Sequence, residues 1–190
     1  MNQQKDKKSK ELKKHVAIIH CTNTLSLMQR KISNALLYHA FPNLLINEEH
    51  EITIKQLCNI IGYNGYNYDA IKAALKQLIA TIIEWNITDE NGEEDWSASA
   101  ILASVQLKSA NCKYSYSPRL RQLLSNPKMY GKINLAIQAR FSSSYGLALY
   151  ENCVRFIRLP YTKWFDLDTF RKIMGVHKNK YEIFRDFKRY

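Results

Sequence analysis

A short apolar segment, a glycine, a polar loop and a longer helical segment follow one another between Ile52 and Trp85 of this 190-residue chain. The segment Ile52–Gly62 predicts a short helix, because its apolar residues recur at helical spacing and glycine adopts the left-handed conformation that ends helices. The polar residues 63–67 predict a loop, and we expect a second helix from Tyr68 or Asp69 to Trp85. Its apolar stripe consists of Ile71, Leu75, Leu78 and Ile82. This order is typical of a helix-turn-helix, although helical hairpins share it.

Three segments after this pair predict short strands, because apolar and polar residues alternate between turn residues. We expect the strands at Trp85–Thr88, Trp96–Lys108 and Cys112–Tyr116, separated by turns at 89–95 and 109–111. A helix-turn-helix followed by a β-hairpin is a winged helix. A further helix is expected from Pro118 to Leu124.

The same helix-turn-helix order returns near the end of the chain. Asp168 is a candidate N-cap for a helix that ends at Gly175, residues 177–179 predict a turn, and a last helix is expected from Lys180 to Tyr190. The core face of that last helix consists of Ile183, Phe184 and Phe187. The sequence stops before any second wing.

The remaining periodic segments complete the expected α+β fold, a tandem winged helix whose second module is incomplete. We expect a buried strand at His15–His20, a helix from the N-cap Ser26 to about Ala40, and helices at Ile133–Arg140 and Ser143–Arg158. The domains predicted from this order are a basic disordered tail at 1–14, a first winged helix at 15–130 and a second, truncated one at 131–190.

The basic residues of the chain are concentrated at its two ends. The formal net charge is +11, with six Lys and two acids in residues 1–14, twelve bases and eleven acids in 15–154, and ten bases and four acids in 155–190. A nearly neutral middle between two cationic ends favours a nucleic-acid-binding protein. The alternative is a basic domain with a solvated lysine tail. The tail lysines would add attraction that is independent of DNA sequence, or would touch nothing; they are Lys5, Lys7, Lys8, Lys10, Lys13 and Lys14.

Several classes of protein are disfavoured by the sequence. Its apolar runs are too short for a membrane-spanning helix, and the polar start lacks a secretory segment, so we expect a cytoplasmic protein. The four cysteines are 37, 54 and 41 residues apart, which favours buried reduced thiols over a zinc site or disulfides. No P-loop and no His-x-His metal motif occur, and the acids at 93–95 lie in a turn. We therefore expect a protein that is not an enzyme and needs no cofactor or metal.

Five segments of the chain carry a likeness to known proteins: 26–32, 117–120, 143–151, 170–176 and 184–189. Together they resemble one family, the RepB-type replication initiators of iteron plasmids. The likeness covers nearly all of the chain from about residue 15. Its most specific part is the pair of segments near 143–151 and 184–189 at their proper separation.

The resemblance implies tandem winged helices whose monomers bind repeated origin sites and whose dimers bind an inverted operator and repress their own synthesis. It also implies opening of a neighbouring A+T-rich segment and later recruitment of a host initiator and replicative helicase. Members of the family usually continue past the last helix with a wing and a basic tail, so we expect this chain to be a fragment or a truncated product.

Two groups of residues are candidates for contact with double-stranded DNA. On the last helix, arginines can read guanine edges and lysines can meet phosphates; the candidates there are Lys178, Lys180, Tyr181, Arg185, Lys188 and Arg189. On the first helix-turn-helix they are Asn64, Asn67, Tyr68, Lys72 and Lys76. The alternative functions are a winged-helix repressor and a dimerising interaction module that does not open an origin. A nicking enzyme would instead form a covalent tyrosyl-DNA adduct.

Overall fold

The computed structural model describes residues 10–19, 25–65, 67–88, 92–125, 130–162, 164–177 and 179–181. Helices and short antiparallel strands alternate through them, which is the expected α+β class. The elements are β1 Glu11–His15, α1 Val16–Ile19, α2 Leu27–Ala40, β2 Glu49–Thr53, α3 Ile54–Ile61, α4 Tyr68–Ala80, β3 Ile82–Thr88, β4 Glu94–Ala100, β5 Ser104–Lys108, β6 Asn111–Ser115, α5 Pro118–Ser125, β7 Tyr130–Asn134, α6 Leu135–Arg140, α7 Ser144–Cys153 and α8 Leu167–Ile173.

The helices α2 and α3 begin at the two strongest local start signals in the chain. The Ser26 hydroxyl accepts a hydrogen bond from the backbone N–H of Gln29, whose side chain accepts one from the N–H of Ser26. Thr53 and Gln56 form the same reciprocal pair at the start of α3. Each pair satisfies two backbone donors that a helix start otherwise leaves unpaired. The predicted helix from Ser26 to about Ala40 is therefore confirmed.

A three-stranded antiparallel sheet of order β2-β6-β5 packs with α2, α3 and α4 around the core. Ile52 lies opposite Cys112, and Leu107 lies opposite Cys112 on its other side, so the sheet presents an apolar face to the helices. Ile32, Leu36 and Tyr114 are fully buried there. With α3 and α4 crossing this sheet, the winged-helix prediction is confirmed.

The sequence predicted one strand over residues 96–108, and this prediction is wrong. It is split into β4, which pairs with β3 in a separate hairpin, and β5, which joins the three-stranded sheet. The backbone N–H of Ala103 donates to the carbonyl oxygen of Ser115, which fixes the start of β5. The helix α4 also ends at Ala80, earlier than the expected Trp85, because the chain enters β3 at Ile82. The strand predicted at 112–116 is confirmed as β6.

The first and seventh strands form a two-stranded antiparallel sheet that the sequence did not predict. Leu12 lies opposite Ile133, and both are buried. The prediction of a strand at His15–His20 is wrong, since β1 ends at His15 and the short helix α1 comes next. The basic tail also ends earlier than expected, because residues 11–14 are part of β1. Tail lysines before Lys10 lie outside the described residues.

A fully buried carboxylate ties three distant parts of the chain together. The Glu151 Oε2 atom on α7 lies 3.1 Å from Lys14 Nζ on β1 and 3.3 Å from Arg30 Nη1 on α2. Asn34 donates to Oε1 of the same carboxylate and to the side-chain oxygen of Gln138. The predicted domain boundary after residue 130 therefore falls inside one packed body, because β7, α6 and α7 pack on β1 and α2.

The helices expected in this later part are shorter than the sequence suggested. The segment 133–140 begins as β7 and becomes helical only at Leu135, and the segment 143–158 gives α7 and then a 3-10 turn at Val154–Phe156. The N-cap of α8 is Asp166 and not Asp168; its carboxylate accepts from the N–H of Thr169 at 2.8 Å.

Two of the four cysteines are buried thiols, as expected. Cys58 and Cys112 are buried, Cys153 is exposed, and Cys21 lies outside the described residues. Burial raises the pKa of the Cys112 thiol to about 11. Within the described ranges, no helix has the length and apolar character needed to span a membrane.

Candidate nucleic-acid interface

The helix α4 has one face in the core and one face in solvent. Its buried residues recur at helical spacing: Ile71, Ala74, Leu75 and Leu78. The opposite face carries Lys72 and Lys76, which are exposed and lie one helical turn apart. Among the residues that the structure describes, neither lysine forms an ion pair. This face can place two positive charges against a polyanion without first breaking internal contacts.

The predicted asparagine and tyrosine candidates lie at the amino-terminal end of the same helix. Asn67 is the N-cap, and its side-chain oxygen accepts from the N–H of Ala70 at 3.0 Å. Tyr68 is the first helical residue and is exposed, and Asn64 is exposed in the preceding loop. Tyr68, Lys72 and Lys76 therefore lie one turn apart along one exposed side of α4, with Asn67 at its cap and Asn64 in the loop before it. Since the oxygen of Asn67 is used by the cap, its amide N–H groups are the part left for contact with a ligand.

The turn that leads into α4 is held by a close backbone approach. Gly62 has φ 68°, the left-handed conformation predicted for it. A Cβ atom at this position would lie 2.8 Å from the Cβ of Ala139 on α6, which is closer than real Cβ contacts. Lys31 on α2 adds a second tie, because its Nζ donates to the carbonyl oxygen of Ala139 at 2.8 Å. The orientation of the helix-turn-helix is thus set by α6.

Two lysines that sequence reasoning did not select flank the turn between β5 and β6. Lys108 is exposed, and Lys113 lies 3.5 Å from Glu49 and 3.9 Å from Glu51, which offset its charge. The turn itself uses Ser109 and Ala110 at φ 49° and 64°. The sequence signal for Lys108 is the loose alternation of 96–108. This alternation does not show the break after Ala100 that places Lys108 at the end of a separate strand.

The neighbouring β3–β4 hairpin has the opposite charge. Glu84, Glu93, Glu94 and Asp95 are exposed on or beside it. Glu94 accepts a hydrogen bond from Asn86, and Arg119 lies 3.4 Å from Asp95. A surface with this charge repels phosphates, so α4 and the β5–β6 turn suit a polyanion better than the β3–β4 hairpin does.

The carboxy-terminal candidates are only partly described. Lys178, Arg185, Lys188 and Arg189 lie outside the described residues. Lys180 is exposed, and Tyr181 is half-buried with φ 53°, so the helix expected from Lys180 has not begun at these two positions. Arg171 of α8 donates to the carbonyl oxygens of both residues, and the Tyr181 ring lies 6.3 Å from that of Tyr145. The backbone at 180–181 is therefore tied to α8.

Buried histidines and tyrosines lie behind the interface in the core. The Tyr114 hydroxyl donates to the carbonyl oxygen of Leu36 at 2.8 Å and lies 2.9 Å from Nδ1 of His39. Burial lowers the pKa of His39 and, with the nearby charges of His39 and Arg121, that of His50. Among the described residues, no three His, Cys, Asp or Glu side chains form a metal-binding group.

Comparison with known proteins assigns this fold to a family. Residues 11–154 match the family model described as Initiator Replication protein, WH1. No curated protein matches the chain. The crystal structure of the Pi initiator protein in complex with iteron DNA aligns with 96% of this chain and 82% of its own, at a TM-score of 0.66 and 16% identity.

Two further solved structures align less closely. They are the WH1 domain of MSBI1.176, a replication protein isolated from a multiple sclerosis patient, and domains 2 and 3 of RctB. The first has a TM-score of 0.37 at 20% identity, covering 52% of this chain and 79% of its own. The second has a TM-score of 0.48 at 12% identity, covering 86% and 68%. These scores are too low to establish a shared fold.

Proposed function

This chain belongs to the initiator replication protein family, and we propose that it is a plasmid replication initiator that binds repeated origin sites in double-stranded DNA. The observation that carries this proposal is the outer face of α4, where Lys72 and Lys76 are exposed on a helix whose opposite face is buried. The Pi initiator protein, which shares the fold, was crystallised with iteron DNA. Both points support a duplex groove as the partner of this face.

The proposed contacts divide into positioning and base-reading groups. Lys72 and Lys76 would meet phosphates, which supply affinity but little sequence information. The amide of Asn67, together with Asn64 and Tyr68 at the start of α4, would approach base edges, because recognition helices contact bases through their amino-terminal residues. The cationic candidates near the carboxy terminus would add a second grip.

The decisive experiment is a footprint of the full chain on the region upstream of its own gene, repeated over a series of salt concentrations. We expect protection at repeated sites. The double variant Lys72→Ala with Lys76→Ala should bind every duplex more weakly, and the slope of log K against log salt should fall by about 0.9 for each lost phosphate contact.

The matched control removes the same charge elsewhere. Lys13 and Lys132 are exposed and lie directly opposite each other on the β1–β7 sheet. The double variant Lys13→Ala with Lys132→Ala should keep the footprint and most of the affinity. Equal losses in both double variants would reduce the binding to net charge alone and would overturn the assignment of α4.

We also propose that the chain forms a homodimer and represses its own promoter. Exposed apolar residues support this second role: Ile82 is 58% exposed and Trp96 is 63% exposed on the same face of the β3–β4 hairpin, and Ile79 at the end of α4 is 37% exposed. Sedimentation of Trp96→Ala should show a weaker dimer. Protection of an inverted operator without opening of an origin would favour a repressor as the main function.

In this proposal the protein acts through binding energy and not as an enzyme. Chains bound across successive repeats would bend the DNA and help an A+T-rich segment to open, after which a host initiator and helicase would be recruited. A covalent tyrosyl-DNA adduct formed in the presence of a divalent metal would contradict it.

A further inference from the structure

The ten residues between the 3-10 turn at Val154–Phe156 and α8 expose large apolar side chains. Trp164 is 99% exposed, Tyr161 80% and Ile157 79%, and Leu159 is also exposed. Single exposed apolar residues are ordinary on protein surfaces, but four within eight positions of one irregular segment are not. We call residues 157–166 the aromatic loop.

The charge of this segment is mainly positive. No Asp or Glu occurs from residue 152 to residue 165, whereas the sequence places Arg155, Arg158 and Lys163 in that interval. Arg158 is described and exposed, between the exposed Ile157 and Leu159. Asp166, the N-cap of α8, is the one acid of the aromatic loop, so three bases stand against one acid in the sequence from residue 155 to residue 166.

The second exposed tryptophan has the opposite surroundings. Trp96 lies on β4 directly after Glu94 and Asp95, and it faces Asn86 across the hairpin. An acidic hairpin disfavours a polyanion, so exposure of a tryptophan is by itself not enough. The combination of exposed rings and cations occurs at the aromatic loop.

We propose that the aromatic loop binds single-stranded DNA, with Trp164 and Tyr161 stacking on unpaired bases and Arg158 meeting the phosphate backbone. Every base has a π-face, so stacking of this kind tolerates any sequence, while cations beside the rings track the backbone. The biological setting rests on the proposed function, since opening of duplex DNA is what would supply unpaired strands.

A second copy of the chain is the competing occupant. Residues 155–190 of two copies repel each other, because each carries ten bases and four acids, so such a contact would have to use an acidic surface such as the β3–β4 hairpin. A polyanion with flat rings matches both the charge and the flat, exposed indole and phenol. A paired duplex matches only the charge, because its bases are already stacked.

The test measures binding of the full chain to a labelled oligo(dT) of about 20 nucleotides, longer than a usual site. Trp164→Ala and Tyr161→Ala should each weaken oligo(dT) binding by about 5-fold to 150-fold and leave duplex binding unchanged. In a Trp96→Phe background, oligo(dT) should quench the fluorescence of Trp164, while Trp164→Phe should retain most of the binding. Because these side chains are exposed, circular dichroism should show unchanged folding.

The matched control is Trp96→Ala, which removes a large exposed ring from an acidic surface. At a protein concentration where the unchanged chain sediments as a monomer, so that the proposed dimer contact of Trp96 plays no part, this variant should leave oligo(dT) binding unchanged. Lys72→Ala with Lys76→Ala should weaken duplex binding and spare oligo(dT), so failure of the loop and failure of α4 are distinguishable. Binding of oligo(dT) that is insensitive to Trp164→Ala overturns the proposal. A second result would also overturn it: the chain binds no oligo(dT) but self-associates, and Trp164→Ala abolishes the self-association. The loop would then be a protein interface.

Discussion

The helix-turn-helix α3–α4 and the segment that begins with α8 end their first helix in the same way. Gly62 has φ 68° and Gly175 has φ 70°. After Gly62 the chain enters α4, whose apolar stripe is buried, and the turn packs against Ala139. After Gly175 the described chain reaches Tyr181 at φ 53°, whose carbonyl oxygen accepts from Arg171 of α8 and whose ring lies 6.3 Å from that of Tyr145 on α7. The same glycine stop is thus followed by different backbone conformations in the described residues, because different surfaces receive the chain after it.

The largest expected effect comes from removing the buried Glu151 carboxylate, which ties α2, the helix that packs on α3 and α4, to β1 and α7. Burial alone would raise the pKa of Glu151, but the charges of Lys14 and Arg30 and the hydrogen bond from Asn34 outweigh it and lower the pKa. Glu151→Gln leaves two buried cations without a counter-charge, so we expect the free energy of unfolding to fall by about 3–5 kcal/mol. Urea denaturation measures it.

A surface carboxylate provides the control for this variant. Glu49 forms an exposed ion pair with Lys113, and Glu49→Gln should cost less than about 1 kcal/mol. If both variants lose the same stability, the buried ion cluster around Glu151 contributes no more than a surface ion pair, and the packing of α2 behind α3 and α4 does not depend on it.

The next effect separates the glycine stop from its packing. Gly62→Ala places a Cβ atom 2.8 Å from that of Ala139 in addition to the strain of a left-handed conformation, so we expect a loss of about 2–4 kcal/mol. Gly92, at φ 84°, has nothing within 4 Å of the added atom, and Gly92→Ala should show the strain alone, about 1–2 kcal/mol. Equal losses would mean that α6 does not fix the turn.

The smallest effect is a pH dependence of the free energy of unfolding, caused by three histidines on β1, α2 and β2. Burial lowers the pKa of His15, His39 and His50 from the usual 6.5, so the unfolded chain takes up protons first as the pH falls. Stability is therefore fully present above about pH 6.5 and declines below it, by at most about 1.4 kcal/mol per pH unit for each proton.

Urea titrations at pH 7.5 and 5.5 measure this decline, and Glu151 stays ionised in that interval because its pKa lies below the usual 4.5. His50→Gln should make the decline shallower, whereas replacing the exposed His177 by Gln should not. A decline of the same size in both variants would show that His50 does not contribute to the pH dependence.

The sequence predicted the parts of the fold that depend on a few neighbouring residues. The cap at Ser26, the stop at Gly62 and the stripe Ile71, Leu75 and Leu78 of α4 are local signals, and each is confirmed. The fourth predicted stripe residue, Ile82, is wrong, because α4 ends at Ala80 and Ile82 is exposed on β3. The predictions failed where pairing partners are distant: β1 forms because β7 lies opposite it, more than 100 residues later. The cap of α8 was also predicted wrongly. Asp166 and Asp168 can each cap a helix, and the local sequence does not show that the helix starts at Leu167.

The candidate site divides in the same way. The sequence by itself determined that α4 carries Lys72 and Lys76 away from its apolar stripe, because helical periodicity fixes which residues share a face. Only the tertiary structure decided that Lys14 is buried against Glu151, 137 residues away, while Trp164 is left almost fully exposed. The physical reason is that burial depends on what packs on a side chain, and that neighbour comes from a part of the chain that local pattern does not reach.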